Sequence, residues 1–273
     1  MYEEPYKWVE AVDNRRQYLD EQFRQGSPVV AVPYESGILL LTVSKGTPKL
    51  YEIYDRLALG GMGHPADLEK LRFSLLEMAH VEGFNRSPSD VTGSRMIKYG
   101  LAPVIKQAFE EVFKAPFIVK ILLAELGAKA GKDVFLTINF DGTFDEGSRG
   151  AALAATTAVQ QRMITYLHRE IPTPASLGGA LAASLLAWAL GDRAQRQALD
   201  GQDRGDQKHR AADTPDSVEN DTLSAHLRDT LSEKSIECAV LDRTQSGPSK
   251  YRTLTPEEWG RLLPPGLKSV LPT

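Results

Sequence analysis

Short aliphatic runs alternate with paired helical patterns along the 273 residues. The first ordered pair, "PVVAVPY" and "GILLLTV", is rich in branched aliphatics and divided by "ESG", which predicts a β-hairpin. "KLYEIYD" alternates in polarity and "RLALGGMG" follows it, so four short strands in a meander are expected over 28–63. Before them, Trp8, Val12, Leu19 and Phe23 share one face of a helix over 5–24, closed by Gly26. After them, Leu68, Leu71, Leu75 and Ala79 mark a helix over 65–83 that stops at Gly83. "SPSD" at 87–90 offers an N-cap for a second helix reaching Phe113, with a kink expected at Pro103.

The alternation then repeats. Strands are expected at 117–126 and 134–144, the latter with a tight turn at Asp141-Gly142, and helices at 157–169 and 176–190. A strand at 235–242 and a short helix at 255–263 follow, within a C-terminal extension over 243–273. The segment 199–221 has almost no large apolar residue and is expected to be a mobile loop. Strand runs separated by helix pairs predict an α+β fold, with two sheets face to face and helices outside.

Composition narrows the function. With 36 acidic and 32 basic residues interspersed, the chain has a net charge of -4 and lacks the basic field of a nucleic-acid binder. The most apolar run, "LGGALAASLLAWAL" at 177–190, is short of the ~20 residues of a membrane span and reads as a buried helix. "MYEEPYKW" has neither a basic nor an apolar leader region, and the single cysteine, Cys238, has no partner for an internal disulfide, so the cytoplasm is the expected compartment. "ALGGMGH" lacks the Lys-Ser/Thr of a phosphate-binding loop. His80, His168, His209 and His226 show no ligand spacing, and no metal or cofactor is expected.

Four stretches together carry a family likeness: "RQGSPVVAVPYESGILLLTV", "PKLYEIYDRLALGGMGHPADLEKLR", "RSPSDVTGSRMIKYGLAPVIKQAFEEVF" and "PFIVKILLAELG" followed by "FLTINFDGTF". With "ASLGGALAASLLAWAL" and "SIECAVLDRTQSGPSKYRTLTPEEWGRLL", they resemble the alpha-type subunit of the bacterial proteasome core particle over nearly the whole chain. The resemblance implies a single domain over 1–273 with the four-layer α-β-β-α sandwich of the N-terminal nucleophile hydrolases, preceded by an extra helix. It also implies a homo-heptameric ring stacked on catalytic beta-type subunits. In such a ring the helix at 5–24 would contact the neighbouring subunit, and Tyr2, Glu3, Glu4 and Pro5 would lie near the axial pore as a gate.

The resemblance gives Ser27 and Lys49 two readings. As a self-processing amidohydrolase, the chain would be cut between Gly26 and Ser27, with Lys49 beside the new nucleophile. An N-terminal nucleophile needs its own free amine, yet a helix leads directly into the strand here. Where beta subunits carry a carboxylate near the end of the second strand, this chain has Val43; their Asp-x-x-Ser-Gly pattern meets "GDRAQRQ", which keeps Asp192 without the serine. In the alternative reading, Lys49 lies in a docking pocket with Gly26 and His64. The resemblance assigns that pocket to the terminal carboxylate of a ring-shaped ATPase activator whose tail ends hydrophobic-Tyr-any. His64 departs from the apolar residue of the archaeal pattern. A third possibility is a ring-forming relative with no proteolytic partner.

Overall fold

In β1 (Val29–Tyr34) successive side chains go to opposite faces, and both faces are buried: Val29 and Ala31 enter one apolar cluster, Val30 and Val32 another. Double burial makes the strand read as an unbroken aliphatic run. β2 (Gly37–Ser44) is buried throughout and pairs antiparallel with β1, as the hairpin pattern predicts. β3 (Leu50–Tyr54) and β4 (Leu57–Gly63) also pair with each other, but they belong to a second sheet. The expected meander is therefore divided between two sheets. Gly46 at φ 106° turns the chain between them, and Pro48 has no N–H with which to extend a ladder. The amides of Lys49 and Leu50 donate instead to the Glu237 carboxylate at 2.8–3.0 Å.

The computed structural model describes residues 5–111, 113–172, 175–203 and 220–268. Its further strands are β5 (Val119–Glu125), β6 (Val134–Ile138), β7 (Phe144–Gly147), β8 (Ala151–Leu153), β9 (Ser235–Asp242) and β10 (Tyr251–Thr253). Among the described residues they form two five-stranded sheets, ordered β10-β9-β2-β1-β8 and β3-β4-β5-β6-β7, with antiparallel pairing throughout. The expected turn joins β6 to β7: Gly142 has φ 82° and its N–H donates to the Asn139 carbonyl. Tyr2, Glu3 and Glu4 lie outside the described residues, as does most of the expected loop at 199–221.

The helices are α1 (Pro5–Phe23), α2 (Pro65–Asn85), α3 (Gly93–Arg95), α4 (Ala102–Glu110), α5 (Thr157–Glu170), α6 (Leu177–Asp203), α7 (Asn220–Leu231), α8 (Pro256–Leu262) and α9 (Pro265–Lys268). Three apolar clusters arrange them about the sheets. Leu39, Leu41 and Val240 of the first sheet pack against Met163 of α5, Leu185 and Trp188 of α6, and Leu227 of α7. Ala31 and Leu40 meet Ala58 and Leu122 of the second sheet. The outer face of that sheet, with Leu59 and Leu123, is covered by Leu71 and Leu75 of α2 and by Ile105 of α4. Among the described residues, no helix is long and apolar enough to cross a membrane.

Several boundaries differ from the sequence expectations. Gly83 does not end α2; a Cβ there would lie 2.2 Å from the Tyr54 hydroxyl, so its smallness serves close packing. The single helix expected up to Phe113 is a 3₁₀ turn at Pro88–Asp90, then α3, a π turn at Met96–Leu101 and α4. Pro103 enters α4 directly after the π turn, inside one continuous helical run, and the departure from α geometry just before it accords with the expected disturbance there. α6 runs on to Asp203, past the expected end at 190. α7 has no counterpart in the sequence reading, although Leu223, Leu227 and Leu231 recur every four residues on its buried face.

α1 is held mainly at its C-terminal end. Leu19 and Phe23 are fully buried, each worth about 1.5–3 kcal/mol relative to exposure. Trp8, expected on the same buried face, is 48% exposed in the single chain. The Arg15 guanidinium donates to the carbonyls of Ala108, Phe109, Glu111 and Lys114 at 2.7–3.1 Å, closing the end of α4 and tying it to α1. Phe23 stacks on Phe140, and the buried Lys120 ammonium lies 5.0 and 5.7 Å from their ring centres. Lys120 donates to the carbonyls of Ala154 and Ala155 at 3.0 and 2.8 Å, while burial pushes its ammonium down to about 8.

Candidate functional site

The turn between α1 and β1 forms one rim of the site. The Gly26 N–H donates to the Phe23 carbonyl at 2.8 Å, finishing the helix. A Cβ at Gly26 would stand 2.6 Å from the Met62 methyl and 3.0 Å from the Phe23 carbonyl oxygen, so a larger residue here would require the Met62 side chain to shift. Ser27 is buried and its hydroxyl is committed. It donates to the Val43 carbonyl at 2.5 Å, accepts from the Trp188 indole N–H at 3.0 Å, and lies 3.3 Å from the Thr42 hydroxyl. Gln195 secures the preceding peptide: its Nε2 donates to the Gly26 carbonyl at 2.9 Å and its Oε1 accepts from the Ala155 N–H at 2.8 Å. Gln195 follows Asp192 by three residues, the position of serine in the beta-type pattern. There it bonds backbone and leaves the Ser27 hydroxyl untouched.

Ser27→Ala is expected to cost about 1–3 kcal/mol, because the Val43 carbonyl and the Trp188 indole both lose a buried partner. Denaturant titration of the two chains would read the difference.

A pocket of about 690 Å³ opens beside this turn. Gly26, Lys49 and His64, far apart in sequence, line it together, with Ser27 and Val43 on the same wall system. Val43 is fully buried, so its apolar side chain belongs to the core. His64 accepts from the Ala66 N–H through Nδ1 at 3.3 Å and so caps α2, with Pro65 in the first turn. The imidazole is thereby oriented by the helix start. Pro5 begins α1, and the remaining residues expected at the gate lie outside the described chain.

The lining is strongly cationic. Arg24, Lys45, Lys49, Arg196 and Lys234 face two carboxylates, Asp192 and Glu233, an excess of three positive charges in a chain whose net charge is -4. Among the described residues no carboxylate lies within 4.0 Å of the Lys49 ammonium. Burial lowers its pKa, the nearby Lys234 lowers it further, and Glu237 opposes both. In the same lining, Asp192 Oδ2 receives Arg196 at 2.8 Å and His226 at 2.9 Å. Burial pushes the Asp192 carboxyl up, but the His226 hydrogen bond and the charges of Lys234 and Arg196 outweigh it and hold the group below its ordinary value.

Such a hollow suits a carboxylate: a half-buried ammonium lacking a counter-ion gains most from an anion that arrives with its own share of dry surface. Gln195, Arg196 and Lys234 had no role in the sequence reading. The segment "GDRAQRQ" was visible there, but nothing in the sequence indicates that Lys234, at the turn after α7, reaches the same cavity. Among the described residues, no group of three His, Cys, Asp or Glu side chains could hold a metal ion.

Comparison with known proteins agrees with this architecture. The chain is 27% identical over 256 residues to the proteasome subunit alpha of a Nocardioides species, covering 92% of this chain and 84% of that one. It is 31% identical over 193 residues to the proteasome subunit alpha of Thermomonospora curvata, covering 68% of this chain and 81% of the relative. The counterpart from Streptosporangium roseum is 32% identical over 173 residues, 62% of this chain and 66% of the relative. No family model matches the chain. By these relatives the chain belongs to the proteasome alpha subunits.

Proposed function

We propose that the chain is a structural and gating subunit of a bacterial proteasome core particle: it builds the outer heptameric ring on a beta-type ring, restricts access to the chamber, and docks activator tails. Proteolysis then belongs to the beta chain, within a cytoplasmic threonine-type endopeptidase complex, and Ser27 is structural. The arrangement of two sheets with helices outside supports the four-layer α-β-β-α sandwich and a single domain over 1–273. The observation that carries the docking reading is the shared cationic pocket of Gly26, Lys49 and His64. A chain end ending hydrophobic-Tyr-any presents one carboxylate, which Lys49 receives.

Native mass spectrometry of the chain co-expressed with its beta subunit tests the assembly. Full-length alpha chains in sevenfold rings with beta are expected; chains shortened to begin at Ser27 would instead make this a self-processing amidohydrolase, and sevenfold rings that never bind beta would make it a stand-alone relative. Tyr2, Glu3, Glu4 and Pro5 are assigned to the gate. Deleting them is expected to raise the rate at which the assembled particle cleaves small peptides in the absence of activator. An unchanged rate would mean that the pore is already open.

A further inference from the structure

We infer that the docking pocket has two anion subsites, Lys49 for the terminal carboxylate and Lys234 for a carboxylate side chain of the same tail, so that its preferred partner is an acidic C-terminal peptide. This rests on the docking reading above and adds the chemistry of the partner. Lys234 leaves the turn after α7, where its N–H donates to the Thr230 carbonyl at 3.1 Å. Its side chain is only 16% exposed and its ammonium lies 5.9 Å from the centre of the Trp188 ring, so it is a positioned cation. Its carboxylate partner is Asp192, whose Oδ1 stands 3.8 Å away in a long ion pair. The other oxygen of Asp192 is shared by Arg196 and His226. One carboxylate thus serves three basic groups.

Lys49, in the same lining, has no counter-ion within 4.0 Å among the described residues. Both oxygens of Glu237, the carboxylate that acts on it, are occupied by the amides of Lys49 and Leu50. The remaining acid, Glu233, is 74% exposed and 3.9 Å from Lys45. A single terminal carboxylate neutralises Lys49 and leaves Lys234 to share Asp192 with Arg196 and His226. A tail that brings a further carboxylate supplies both, and relieves the repulsion that Lys234 exerts on Lys49 and that Arg196 and Lys45 exert on Lys234.

The test uses the full-length chain assembled with its beta subunit and fluorescent octapeptides ending hydrophobic-Tyr-any. One glutamate is placed in turn at each of the three residues before that ending; each peptide has a glutamine counterpart, and each is made with a free-acid and an amidated end. In at least one register the glutamate peptide is expected to bind about tenfold tighter than its glutamine counterpart, the scale of one partly buried charge-assisted contact. Lys234→Gln should erase that difference and keep the acid-over-amide preference; Lys49→Gln should do the reverse. Equal binding of glutamate and glutamine peptides in all registers, with the acid-over-amide preference intact, overturns the second subsite and leaves docking standing. Loss of both preferences in Lys234→Gln overturns the division into two subsites. If the unsubstituted particle does not distinguish acid from amide ends, the docking reading falls as well.

Discussion

Lys49→Ala is expected to abolish activator-stimulated degradation by the assembled particle. The lost contact is a charge-assisted one worth about 1.5–3 kcal/mol per site, or roughly ten- to hundredfold in tail affinity. Identical pockets in a ring act together, so the loss per site compounds. Cleavage of small peptides, which takes place on the beta chains, is the internal reference. Stimulation that survives in this variant would remove Lys49 from the docking site. The same reading fixes a pH dependence. Burial lowers the Lys49 pKa in the free protein, and Lys234 adds to the effect. A bound carboxylate favours the charged form, so docking takes up a proton. Tail affinity is therefore full below the depressed pKa and declines as pH rises through it, which titration of labelled tails against pH would show. Affinity that rises with pH would contradict the ammonium as the recognising group.

The largest expected loss of stability is that of Trp188→Ala. Trp188 is fully buried between α6 and the first sheet, donates to Ser27 and underlies Lys234. Removing a buried aromatic of this size costs about 3–5 kcal/mol, a large part of the ~5–15 kcal/mol that usually holds a domain together. The thermal midpoint should fall by roughly 6–20 °C for a chain of this size. Trp188→Phe keeps most of the volume and loses the N–H donor, so its cost should be smaller, about 1–3 kcal/mol. Equal effects from the two substitutions would show that the hydrogen bond to Ser27, and not the packing, dominates at this position.

The strongly periodic elements were legible in the sequence because local patterns report which face is buried. β9 falls where the run "SIECAVLD" predicts it, and α2 begins at Pro65 and buries the four residues named from their spacing. Elements without a strong pattern were not legible. β8 is "AAL" and β7 is "FDEG", a wholly exposed strand, and both exist because a neighbouring strand offers a ladder. α7 carries its leucines at regular spacing, but the polar stretch before it hid the start of the period. Trp8 fits the helical stripe of α1 and is nevertheless 48% exposed, since periodicity tells which residues share a face and not whether anything covers it.

The candidate site divides along the same line. The sequence by itself determined β1, β2 and the start of α2 on the site's rim, and its resemblance to one family named Gly26, Lys49 and His64 as belonging together. Only the tertiary structure decided that the three line one cavity, that the hydroxyl of Ser27 is spent on Val43 and Trp188, and that Gln195 clasps the peptide before it. It alone brought Lys234, 185 residues from Lys49, to the same cavity. The physical reason is range: helical and strand periods are local, whereas charge repulsion and counter-ion sharing act through space between groups that the fold, and not the order of residues, makes neighbours.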